Sequence, residues 1–192
     1  WEFLGMHPEQ PETWYQSHPQ QRGMMVNFFD HPLLEKNRAS ARIKKAFEQL
    51  YQSEAIYKTI DKISFNPPVT PNYVFKGDGL HWDVSLQLPI PFRLQGLIYL
   101  SDCGPKDGAF HCVPGFHHQI ASWMEHIPEG VHPRAHALAN LKPQAITASA
   151  GDMVIWHQAL PHCATPNYGT SPRMVQYLSY ISESHVEAKE WV

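Results

Sequence analysis

Charge of one sign, paired cysteines and long apolar runs are all scarce in this sequence. Its 192 residues carry 15 Lys and Arg against 18 Asp and Glu, a formal net charge of −3, and no basic block stands out. Neither nucleic acid nor an anionic membrane surface is therefore an expected partner. No run of eighteen apolar residues occurs, so no membrane-spanning helix is expected, and no signal peptide is visible. The three cysteines, Cys103, Cys112 and Cys163, are odd in number and form no Cys-x-x-Cys pair. That argues against a disulfide framework or a zinc ribbon and fits a reducing, cytoplasmic location. No internal repeat and no domain boundary are seen, and the length suits one domain over residues 1–192. Because the chain opens on Trp1 and not on Met, we expect some N-terminal sequence to be missing.

What is present begins with rings. Residues 1–32 are rich in Pro, His, Gln and aromatics, which predicts irregular structure that packs by its side chains. Ile43, Phe47, Leu50 and Tyr51 fall at helical spacing, predicting a helix over roughly 36–51, with a short second helix near 53–59. The run 79–88 alternates, with Leu80, Trp82, Val84, Leu86 and Leu88 on one face and His81, Asp83, Ser85 and Gln87 on the other, so it reads as a strand. Further strands are predicted at 95–101, 109–113, 153–157 and 173–181, with a short helix near 119–126 and a loop holding His162. Short strands separated by turn signals, with helices mostly ahead of them, predict a mainly β fold, a barrel or sandwich with flanking helices.

Thirteen histidines make a metal site easier to build and also multiply chance spacings. In the predicted strand, a period of two places His81 and Asp83 on one face. Two polar residues so placed are commonly a solvated face; they are also two corners of a possible metal site. Two His with one carboxylate and open positions make the facial triad of non-haem Fe(II) oxygenases. The run 151–173 offers the second histidine, as His157 or His162, and a cation, Arg173.

Taken in order, the motifs resemble the phytanoyl-CoA dioxygenase family of Fe(II)/2-oxoglutarate oxygenases. They are His81-Trp82-Asp83, Gly108-Ala109-Phe110, Val113-Pro114-Gly115-Phe116-His117, Gly151-Asp152, His162, Asn167 and Arg173. Phe116 departs from the family's usual Ser. The resemblance covers about residues 75–181. It implies a double-stranded β-helix, the cupin-like jelly roll, with Fe(II) held by His81, Asp83 and His162. It also implies that Arg173 pairs with the distal carboxylate of 2-oxoglutarate, a role suited to the two-pronged guanidinium. Tyr99 falls where the family often places a residue touching that co-substrate; core packing is its other reading. The implied activity is a 2-oxoglutarate-dependent dioxygenase that uses dioxygen to hydroxylate a small organic substrate, with succinate and CO2 as co-products. Halogenases of the superfamily have Gly or Ala at the carboxylate position, so Asp83 implies hydroxylation.

Other residues read differently. His157 suits packing or a place beside the metal site, His117 and His118 a structural role, and Asp152 a turn. Asn167 suits loop backbone, with a place near the iron site as its other reading. Arg93 suits the surface, with an anionic substrate as its other reading, and Cys163 suits a small packed side chain more than a redox sensor. Two competing functions are a cupin-like metalloenzyme without 2-oxoglutarate and a non-catalytic jelly-roll binding module. Arg173 at its spacing argues against the first, and the intact set of His81, Asp83, His162 and Arg173 argues against the second.

Overall fold

The computed structural model describes residues 1–185, 190 and 191. The N-terminal segment forms two 3-10 turns and a small hairpin, β1 (Gln21–Arg22) and β2 (Met25–Val26). Its rings do the packing, as expected: Trp1 lies edge-on to Phe65 at 5.4 Å, and Trp14, Val26, Leu4 and Met6 are buried around them.

The predicted helix over 36–51 is two helices, α1 (Pro32–Arg38) and α2 (Ala41–Tyr51). Pro32 suits a first turn, where no backbone N–H is needed, and the His31 side chain caps it by accepting from Leu33 N–H. The break comes at Ala39-Ser40, where Ser40 takes extended dihedrals ahead of α2. Phe47 of α2 is fully buried. The expected second helix near 53–59 is instead the strand β3 (Ile56–Lys58), which pairs with β11 (Tyr180–Ser182). A β-branched and aromatic run favours a strand once a partner edge is supplied. That partner lies more than 120 residues away, beyond the reach of local pattern.

Next come β4 (Ile63–Asn66), β5 (Leu94–Tyr99), β6 (Phe110–Cys112), α3 (Ile120–Glu125), α4 (Pro133–Asn140), β7 (Gln144–Ile146), β8 (Met153–His157), β9 (His162–Ala164) and β10 (Arg173–Tyr177). One antiparallel sheet runs β1-β2-β4-β10-β5-β8, and a second runs β7-β6-β9. Alternation on β5 decides how they pack. Leu97 and Tyr99 point inward, joining Trp156, Val175, Phe110 and Cys112 in the main core between the sheets. Leu94 and Ile98 point outward and pack beneath Phe47. Gly96 leaves room for the Leu178 backbone and for Phe47 of α2, because a Cβ there would come within 2.5 Å of the Leu178 carbonyl oxygen and 3.2 Å of Phe47 Cζ. The fold is mainly β with flanking helices, a double-stranded β-helix or jelly roll.

Three further expectations need correction. The run 79–88 is not a strand; only His81 pairs, in one antiparallel bridge with His162. The carbonyls of Trp82 and Val84 are taken by the Arg134 guanidinium, so no neighbouring strand is required to satisfy them. His162 opens strand β9 and is not in a loop. The predicted strand over 173–181 divides into β10 and β11, which join different sheets.

Candidate metal centre

The His81–His162 bridge places two imidazoles side by side. Its two backbone hydrogen bonds, each 3.0 Å, hold the rings 4.9 Å apart. Both rings have one nitrogen committed. His81 Nδ1 lies 2.7 Å from the Gly79 carbonyl oxygen, and His162 Nδ1 lies 3.0 Å from that of Leu160. A carbonyl only accepts, so each Nδ1 carries the proton and each Nε2 of the neutral ring is bare.

The bare nitrogens face one carboxylate. His162 Nε2 is 3.1 Å from Asp83 Oδ2, and His81 Nε2 is 3.6 Å from Asp83 Oδ1. One donor atom from each residue lies within 4.8 Å of the others. Acceptors placed face to face repel unless a proton or a cation lies between them, and two imidazole nitrogens with a carboxylate suit a transition-metal ion. Burial acts to raise the Asp83 carboxyl, but His162 and His81 when protonated, together with the Gln95 amide, outweigh it and hold the group well below the usual carboxylate range. His162 is buried; Phe110 stacks on it at 5.5 Å and Trp156 lies 5.1 Å away. These rings shield one side of the triad from water.

The same residues line a cavity of about 370 Å³ that also reaches Arg173, Tyr177, Met24, Met25 and Lys62. Arg173 is 1% exposed; its Nη1 lies 3.4 Å from Ser64 Oγ, a long hydrogen bond, and the Tyr99 and Tyr177 side chains are close by. Its Nε is buried without a partner. No carboxylate among the described residues pairs with it, and a buried charge left so is costly until an anion arrives. Tyr99 is buried with its ring 5.8 Å from this guanidinium. The Tyr99 hydroxyl is already engaged: it donates to the Ile146 carbonyl at 3.1 Å and accepts from Phe110 N–H at 3.0 Å.

The remaining sequence candidates lie outside the triad. His157 stacks on His117 at 5.6 Å and contacts Phe92, and its Nδ1 accepts from Ala159 N–H. His118 packs on His117. Asn167 donates to the carbonyls of Asn66 and Ser171, and Asp152 accepts from Ser149 N–H, so both serve loop backbone as expected. Cys163 is buried, and burial followed by the neighbouring Cys112 thiol pushes it up to about 11. Sequence reasoning missed Gln95, Arg134, Ser64 and Tyr177. Tyr177 alone left a signal: four residues beyond Arg173 on one strand, it shares the arginine's face.

A family profile described as phytanoyl-CoA dioxygenase (PhyH) matches residues 10–175. A Dictyostelium discoideum protein provisionally named phytanoyl-CoA dioxygenase is 29% identical over 101 residues, covering 50% of this chain and 29% of its own length. The chain thus spans less than a third of that relative. Among solved structures, AviO1 from Streptomyces viridochromogenes superposes with a TM-score of 0.63 at 19% identity, covering 90% of this chain and 78% of AviO1. The epimerase SnoN, solved with Fe3+, α-ketoglutarate and a nogalamycin compound, gives 0.59 at 19% identity over 79% of this chain and 59% of SnoN. At such identities the likeness is one of fold. The profile match spans most of the sequence and takes in His81, Asp83, His162 and Arg173, and the chain belongs to the phytanoyl-CoA dioxygenase family.

Proposed function

We propose that the chain is a single oxygenase domain that uses Fe(II) and 2-oxoglutarate to hydroxylate a small organic substrate. One observation carries the reading. Two bare imidazole nitrogens and a carboxylate converge in a cavity that also holds a buried, unpaired guanidinium. His81, Asp83 and His162 would hold the iron. Arg173 would pair with the far carboxylate of 2-oxoglutarate. When bound, the iron and its co-substrate supply the activation of dioxygen and the oxidation of a C–H bond, with succinate and CO2 as co-products.

The chain's own residues supply the rest. Gly79 and Leu160 keep Nε2 of both histidines free to donate its lone pair. Phe110 and Trp156 keep water from the His162 side. Tyr99 contributes to the co-substrate site through its ring, which lies against Arg173. Asp83 would help hold the iron where a halogenase has no carboxylate, which favours hydroxylation. A metalloenzyme without 2-oxoglutarate would leave Arg173 buried with no anion.

The partners we assign are dioxygen and a small molecule. No described helix is long and apolar enough to cross a membrane. A cytoplasmic location is supported by Cys103, Cys112 and Cys163, which are all buried free thiols. The test is anaerobic titration of the full chain with Fe(II), then 2-oxoglutarate, watching for the visible absorption of the chelate. Succinate release in air is measured alongside, with each component omitted in turn. A protein that binds no Fe(II), or whose Fe(II) form ignores 2-oxoglutarate, overturns the proposal.

A further inference from the structure

Asp83 lies outside any strand and its carboxylate is half exposed, so something must fix its direction. Its side-chain neighbours are His162, His81 and Gln95. If the two histidines turn their Nε2 atoms to a metal ion, Gln95 is the anchor that remains among the described residues. Gln95 Nε2 donates to Asp83 Oδ2 at 2.8 Å.

The direction of that amide is itself determined. Gln95 on β5 is in register with Trp156 on β8, and the Trp156 indole nitrogen lies 3.0 Å from Gln95 Oε1. An indole N–H only donates, so the end of the amide facing Trp156 must be its oxygen. The NH2 end therefore faces Asp83, and a carboxylate only accepts. A donor of fixed polarity thus runs from Trp156 through Gln95 to Asp83. The amide is neutral, so it fixes the carboxylate without cancelling the negative charge a metal needs. A Lys or Arg in its place would set a second cation against the ion.

We propose that Gln95 is the positioning residue for the Asp83 carboxylate and that Trp156 sets its orientation. This inference rests on Asp83 being a metal ligand, and it goes further in naming what aims that ligand.

The test is calorimetric titration of the full chain with Fe(II) under anaerobic conditions, with Co(II) as a spectroscopic probe. Gln95→Leu keeps the size and removes the amide; Trp156→Phe keeps a ring and removes only the N–H. Loss of such outer partners typically weakens metal binding ~10- to 100-fold, and Gln95→Leu should fall in that range with an altered Co(II) absorption spectrum. Trp156→Phe should fall less. The double variant should bind no more weakly than Gln95→Leu alone, because the indole acts through the amide. Unchanged Fe(II) affinity in Gln95→Leu, or additive losses in the double variant, overturns the inference while leaving the metal site intact. If Gln95→Leu fails to fold, an unchanged affinity in Trp156→Phe decides against it. A parent protein that binds no Fe(II) defeats the proposed function and this inference together.

Discussion

Arg134 grips the backbone on both sides of Asp83. Its Nη1 donates to the Trp82 carbonyl at 2.8 Å and its Nη2 to the Val84 carbonyl at 2.7 Å. Where a strand would use a neighbouring strand, this loop uses one planar fork from α4. Trp82 adds a third tie through its indole N–H to the Ala159 carbonyl, 2.9 Å away.

Arg134→Lys should therefore be a poor substitute, since an ammonium cannot span two carbonyls in the fixed geometry of a guanidinium. Hydrogen bonds to charged groups contribute ~1.5–3 kcal/mol each, less where solvent reaches them. Arg134→Ala should cost ~1–3 kcal/mol in urea unfolding and weaken divalent-metal binding, with Arg134→Lys in between. Metal affinity unchanged in a folded Arg134→Ala protein would show that the backbone around Asp83 holds without the fork.

Arg173 should govern the co-substrate and not the metal. Truncating one partner of a buried, hydrogen-bonded charge pair costs ~2–5 kcal/mol, so Arg173→Ala should raise the apparent KM for 2-oxoglutarate by roughly 30-fold or more. Fe(II) affinity should stay near that of the parent. Arg173→Lys should rescue only in part, because an ammonium is a point charge. An unchanged KM in Arg173→Ala would end the assignment.

How much of this was legible in the sequence depended on distance along the chain. His81 and Asp83, two residues apart, announced themselves, although they reach one space through a loop tied by Arg134 and not through a pleated strand. His162 and Arg173 were found through their spacing in a known motif. Gln95 and Arg134 left no trace: their contacts to Asp83 and Trp82 cross 12 and 52 residues and repeat with no period. The segment 56–58 misled for the same reason, since its strand exists only because Tyr180–Ser182 lies beside it. Tyr99 fell on the predicted strand, but only the fold reveals that two backbone groups already occupy its hydroxyl.

Asp83 should keep the reaction from halogenation. Turnover of the true substrate in chloride buffer with labelled dioxygen should place the label in the product and yield no chlorinated species. Asp83→Gly should lose Fe(II) affinity by more than the ~10- to 100-fold that outer partners contribute. A chlorinated product from the parent protein would overturn the outcome assigned here.

A pH dependence should arise away from the metal, at His157. Burial, reinforced by the nearby His117 and His118, pushes this imidazole down to about 4. Its ordinary value is 6.5, so in the unfolded chain it gains a proton near that pH, whereas in the folded protein it resists until about 4. Between these values the unfolded state binds more protons, and stability therefore rises with pH across the window. Above 6.5 the ring is neutral in both states and the contribution is flat. Below about 4 it is charged in both, and the loss is complete. His117, also lowered by burial and by His118, should add to the same slope. Urea midpoints of the metal-free protein should therefore fall between pH 6.5 and 4. His157→Gln, which cannot take up a proton, should fall less steeply over that range, with little change in slope above it. Equal slopes in the parent and His157→Gln would mean that His157 titrates alike in both states, and that its packing against Phe92 and His117 does not exclude the charged ring.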